Sequence, residues 1–161
     1  MEACRELDID NRHFRVSRFT ALIGSRILNI LLAAMFKAQT GDSGTAPNPE
    51  DLSPEDANAL VSSMWIAVGS GLDTVTYTEI QRYCLQVCSI YATDASDAPP
   101  IPLVSTNNRW AVKELEHDFA TVNRLITEAL QFNLSPFFIE SALKQAESAR
   151  AQASNPSLSL T

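Results

Sequence analysis

Leu125-Ile126-Thr127-Glu128-Ala129-Leu130-Gln131-Phe132-Asn133-Leu134-Ser135-Pro136-Phe137-Phe138 is the stretch whose reading decides the fold. Upstream of and into it, Leu115, Phe119, Val122, Ile126 and Ala129 recur at steps of four and three, the spacing of one apolar stripe on a helix. The periodicity predicts a long helix over Lys113 to Phe132. Asn133-Leu134-Ser135-Pro136-Phe137-Phe138 reads as a breaker, with a second helix starting at Ser135-Pro136 and carrying Ile139, Ala142, Leu143 and Ala146 on one stripe. No catalytic side chain stands among the apolar residues, so the segment reads as an interaction element. From Glu147 the chain turns to Ala, Ser, Gln and Asn, and a tail over 149–161 with so few large apolar groups is expected to be disordered.

At the other end, Arg5 to Ile9 and His13 to Phe19 alternate polar and apolar side chains around Asp10-Asn11, the signature of a β-hairpin. Leu7, Ile9, Phe14, Val16 and Arg18 are then sorted by face. From Thr20 the period changes: Leu22, Ile23, Ile27, Ile30, Leu31, Ala34 and Met35 predict a central helix reaching Gln39. Gly41 to Asp51 is loop chemistry, a mobile connection extending to residue 52.

Ser53-Pro54-Glu55-Asp56 has the features of a helix start, with a serine N-cap, proline in the first turn and carboxylates beside the positive end of the helix dipole. Ala57, Leu60, Val61, Met64, Trp65 and Val68 form its apolar face, and Gly69-Ser70-Gly71 stops it. Thr76 and Glu79 predict a capping box for the next helix, on which Ile80, Cys84, Val87 and Tyr91 share a face. Ile101 to Val104 and Arg109 to Val112 are expected to pair as a small hairpin. The fold class expected is mainly α: one domain over 1–148 of four to six helices with an N-terminal β-hairpin, followed by the flexible tail 149–161.

The chain has 161 residues, 45% of them hydrophobic, with a net charge of −7 and a pI near 4.7. Its field repels phosphate backbones and anionic headgroups, which argues against nucleic acid and membrane partners. Arg5, Arg12, Arg15, Arg18 and Arg26 alternate with Glu2, Glu6, Asp8 and Asp10, so they read as cross-strand charge pairs rather than an RNA-binding patch. The apolar run Ile27 to Phe36 falls short of the roughly 20 residues a membrane span needs. Cys4, Cys84 and Cys88 suit a reducing cytoplasm and read as small core hydrophobes, since only His13 and His117 could join them as soft ligands.

The candidate chemistry is sparse. A phosphate loop would need glycines placed for backbone amides to approach oxygens, and Gly69-Ser70-Gly71 follows a helix instead. His13 lies in a strand between Arg12 and Phe14, and His117 sits among Glu114, Glu116 and Asp118 on a solvated face. Those carboxylates, at two-residue offsets, point apart, and Glu128 and Glu140 have no partner. The reading is a non-enzymatic protein with no cofactor and no metal site.

Two separated segments, His13-Phe14-Arg15-Val16-Ser17-Arg18-Phe19 with Gly24-Ser25-Arg26-Ile27, and Leu125 to Phe138 with its Asn133 and Phe137-Phe138, together resemble the tail assembly chaperones of long-tailed bacteriophages. That resemblance spans roughly residues 5 to 140. It implies a protein of the host cell cytoplasm, not in the mature virion, that binds the tape-measure protein and keeps it soluble until tail tube subunits polymerise around it. It further implies several copies along one client, contact with the tail tube protein as a second partner, and in some members a longer frameshifted form. The chain departs from the pattern by continuing past Phe138 for more than twenty residues.

Phe132, Asn133, Leu134, Phe137 and Phe138 are the expected partner-binding residues. Adjacent helical side chains point about 100° apart, so one of Phe137 and Phe138 is expected to pack inward and the other to lie near the surface beside Phe132 and Leu134. The alternative function is a helical adaptor or regulatory module that binds one folded partner at a fixed ratio.

Overall fold

The computed structural model describes residues 2–38, 52–92 and 97–154. Strands β1 (Cys4–Ile9) and β2 (Arg12–Ser17) form the expected hairpin. Asp10 and Asn11, at φ 48° and 62°, supply the left-handed pair of a turn whose twist matches the flanking strands. Leu7 pairs with Phe14 and Arg5 with Val16, and Phe14 and Val16 are fully buried. The opposite face is charged. His13 Nδ1 lies 2.6 Å from Asp8 and its Nε2 3.0 Å from Glu6, Arg15 reaches Glu6 at 3.4 Å, and the Tyr91 hydroxyl donates to Glu6 at 2.7 Å.

Helix α1 (Ala21–Ala38) follows at once and buries Ile27 and Leu31. Residues 39–51, which contain the expected mobile loop, lie outside the described part of the chain. Helix α2 (Pro54–Gly69) starts as its sequence requires: Ser53 Oγ accepts from the Asp56 amide at 3.1 Å, and Asp56 accepts in return from the Ser53 amide at 3.3 Å. Helix α3 (Thr74–Gln86) starts differently from the expected Thr76/Glu79 box. Asp73 is the cap, accepting from the Thr76 amide at 2.9 Å, because Glu79 is engaged by Arg26 and by the Tyr83 hydroxyl. Trp65 and Tyr77 stack at 4.6 Å where α2 meets α3, close enough that a Cβ on Gly69 would meet Tyr77 at 3.2 Å.

The expected continuation of α3 to Tyr91 is incorrect. The helix stops at Gln86, and β3 (Cys88–Ile90) pairs antiparallel with β2, setting Ile90 against Phe14 and Cys88 against Val16. Cys84 and Val87 fit a helical stripe while Cys88 and Ile90 fit a strand face; the open edge of the hairpin resolves the ambiguity, because its amides and carbonyls need partners. β4 (Ile101–Pro102) adds to β3, and Val104 bridges to Trp110 around a turn closed by Asn108 at φ 57°. The small hairpin expected there is reduced to that bridge. Among the described residues the result is a four-stranded antiparallel sheet in the order β1-β2-β3-β4 beside four α-helices. The expected mainly-α class is therefore corrected to a helix-rich mixed fold.

A short 3-10 helix (Lys113–His117) buries Leu115 and leads to α4 (Phe119–Ala153), capped by Asp118, which accepts from the Thr121 amide at 3.1 Å. The predicted break is absent. α4 runs 35 residues through Pro136, about 52 Å of helix, and it packs on α1, α2, α3 and β2. It, and not α1, is the central helix, with Leu125, Ile126, Ala129 and Leu130 buried. Of the expected tail, 149–153 continue α4 as helix, and 155–161 lie outside the described residues.

Asp8 and then Glu6 hold the His13 imidazolium above its ordinary value of 6.5, while Tyr91 and then His13 hold Glu6 below its ordinary 4.5. A raised histidine stabilises fully below 6.5 and loses that contribution as pH rises through its folded value; a depressed carboxylate stabilises fully above 4.5 and loses it as pH falls. The hairpin is thus expected to be firmest between about pH 4.5 and 6.5. The groups are exposed, so the effect is a few degrees of melting temperature at most. A thermal melt series from pH 6 to 8.5 should show the decline, and His13→Gln should flatten it.

Candidate functional site at the hairpin-to-helix junction

Pro136 has no amide hydrogen, so the carbonyl four residues earlier, on Phe132, lacks its intrahelical donor. Arg18, immediately after β2, supplies one: its Nη1 donates to the Phe132 carbonyl oxygen. The guanidinium lies 3.7 Å over the Phe132 ring, and Arg5 stacks on the same ring at 5.1 Å. Burial, then the neighbouring Arg5 charge, lowers the Arg18 pKa. Arg5 is balanced by Glu128 at 3.3 Å, and Arg18 Nε donates to the Glu2 carbonyl at 3.1 Å.

Asn133 closes the other side of the junction. Its Oδ1 accepts from the Phe19 amide at 2.7 Å, and its Nδ2 donates to the Ser17 and Ala129 carbonyls at 3.2 and 2.9 Å. One carboxamide satisfies the backbone exactly where the chain leaves the sheet and has neither strand nor helix partners. The polar residues on either side are engaged too. Gln131 donates to the Ser62 hydroxyl at 2.7 Å and to the Asn58 carbonyl at 3.3 Å, and the Ser135 hydroxyl donates to Asn58 Oδ1 at 2.7 Å, which ties α4 to α2.

Of the expected partner-binding residues, Phe132 and Leu134 are buried in the core and Asn133 is the junction clamp. The surface patch expected from Phe132, Leu134 and one phenylalanine does not exist, because a continuous helix turns 132 and 134 inward. Phe138 is half-buried against the core, whereas Phe137 is 43% exposed, its ring edge-on to Phe138 at 5.5 Å. The residue whose role the sequence reading missed is Arg18, which was sorted onto a strand face. The signal available was Pro136: a proline inside a helix needs an outside donor for the carbonyl it orphans.

Cys84 and Cys88 are fully buried, and the Cys88 thiol donates to the Cys84 carbonyl at 3.1 Å. Burial pushes the Cys84 thiol well up and Cys88 to about 12, so both stay protonated at neutral pH and behave as core hydrophobes. Among the described residues no group of three or more His, Cys, Asp or Glu side chains could hold a metal ion, and no helix is long and apolar enough to cross a membrane. No family model, curated protein or solved structure matches the chain.

Asn133→Leu should cost about 3 kcal/mol in chemical denaturation, because it strands the Phe19 amide and the Ser17 carbonyl. Phe138→Ser should cost about 2–3 kcal/mol through lost burial, while Phe137→Ser should stay within about 0.5–1 kcal/mol of the parent.

Proposed function

We propose that this protein is a tail assembly chaperone of a long-tailed bacteriophage: it binds the tape-measure protein in the host cell cytoplasm, keeps it soluble while the tail tube assembles, and is left out of the mature virion. One observation supports this reading above the others. The two segments that carry the resemblance, 114 residues apart at Arg18–Phe132 and at Phe19–Asn133, are bonded to each other as one structural unit. A motif split between distant positions and rejoined in space marks a shared scaffold better than either short half does alone.

The surface suits the role. Leu22, Ile66, Val75, Phe119, Phe137 and Leu143 are large apolar side chains left exposed on helices, on a chain of net charge −7. Apolar contacts would cover a client's exposed helical faces, and the acidic charge would keep the complex dispersed. Binding of this kind holds the client by mass action and needs no chemical step and no cofactor.

Co-expression with the tape-measure protein from the same genome is the test. The soluble fraction of that protein should rise several-fold, and sedimentation of the complex should give several copies per client. A tape-measure protein that stays insoluble, together with a one-to-one complex with a folded protein, would favour the adaptor reading instead.

A further inference from the structure

A concave surface lies away from the junction. It is a groove of about 860 Å³ between α3, the turn around Asn108 and the first turns of α4. On the α3 side Val75, Thr78, Arg82 and Leu85 line it at steps of three, four and three. On the α4 side Val122 and Ile126 line it, and Phe119, one step earlier on the same row, is 82% exposed. Both rows have the heptad spacing by which one helix receives another. α3 and α4 pack together, and Trp110 and Val104 line the same groove; Leu85, Val104 and Ile126 are buried, while Val75 is 77% exposed.

The groove also carries an unbalanced charge. Glu79, the carboxylate that lines it, is compensated by Arg26 at 3.2 Å and by the Tyr83 hydroxyl. Arg82 has no ion pair among the described residues, and its Nε is buried without a hydrogen-bond partner. The guanidinium carbon lies 5.7 Å from the Tyr83 ring centroid, so the Arg82 charge meets an aromatic face within the chain but no carboxylate among the described residues. On an otherwise acidic molecule, the apolar groove therefore selects for a carboxylate.

We infer that this groove receives an amphipathic helix of another protein, whose apolar stripe packs between the two rows and whose single acidic residue meets Arg82. Two helical walls favour a helix over an extended peptide, since a third helix can set its ridge between them. A helix of the tape-measure protein is the natural source. That identification rests on the chaperone reading; the groove's preference for such a helix does not.

The test uses a synthetic stapled helical peptide of about two heptads, with leucine at the inward positions and one central inward glutamate, and a companion with lysine in its place. Fluorescence anisotropy of the labelled peptides against the full chain should give saturable binding at least about tenfold tighter for the glutamate form, or 1.4 kcal/mol. Arg82→Glu should reverse the preference. Val75→Asp should weaken binding about tenfold, while Ile66→Asp, at a side chain 76% exposed but outside the groove, should not. Absence of saturable binding, equal affinity for the two peptides, or equal loss from the two aspartate substitutions would overturn the inference. Saturable decanoate binding in place of peptide binding would make this a small-molecule site and overturn it as well. Peptide binding without any rise in tape-measure solubility would instead leave the groove assigned and remove the chaperone reading.

Discussion

A proline ring at position 136 leaves the Phe132 carbonyl without the amide that would close its helical turn, and the Arg18 guanidinium supplies the missing donor. Proline inside a helix costs roughly 3 kcal/mol, part of it the lost hydrogen bond. A charged donor to a backbone carbonyl is worth about 1.5–3 kcal/mol, enough to offset most of that cost. Because the donor comes from the residue that follows β2, the continuity of α4 is coupled to the docking of the sheet against it. Asn133 adds a second bond set across the same gap, so the strand exit and the middle of α4 are held in one register.

Much of the architecture depends on that register. α4 passes along β2, α1, α2 and α3, and a break near Pro136 would detach the segment carrying Phe138 and Ala142 from the core. Continuity also decides which side chains face out. Phe132 and Leu134 turn into the core, Phe137 turns out, and the residues between them that could hydrogen-bond are already paired with α2 or with the hairpin. The segment that resembles a docking motif is thus chiefly a structural latch, and the exposed apolar side chain it leaves is Phe137.

The hairpin was legible because Asp10-Asn11 and strict alternation admit little else, and the start of α2 because Ser53 and Asp56 form a reciprocal cap with local partners only. Both are settled by short-range chemistry. β3 was not legible: Cys84, Val87 and Tyr91 fit a helical period as well as Cys88 and Ile90 fit a strand, and the deciding factor is the unpaired edge of β2, more than seventy residues away. The continuity of α4 through Pro136 was not legible for the same reason, since a local rule about proline was overridden by a side chain 114 residues distant. Of the candidate site, the outward and inward split of Phe137 and Phe138 follows from helical geometry and could be anticipated. The groove could not, because its two walls come from different helices, although the heptad step of Val75, Thr78, Arg82 and Leu85 stood in the sequence throughout.

The latch can be measured directly with a double-mutant cycle on Arg18→Met and Pro136→Ala, using urea denaturation of the full chain. If Arg18 serves the carbonyl that Pro136 orphans, Arg18→Met should cost about 2 kcal/mol in the parent and at least about 1 kcal/mol less in the Pro136→Ala background, where a new amide takes over the Phe132 carbonyl. Equal costs in the two backgrounds would mean that the arginine and the proline act independently, and the account of how α4 stays continuous would be wrong.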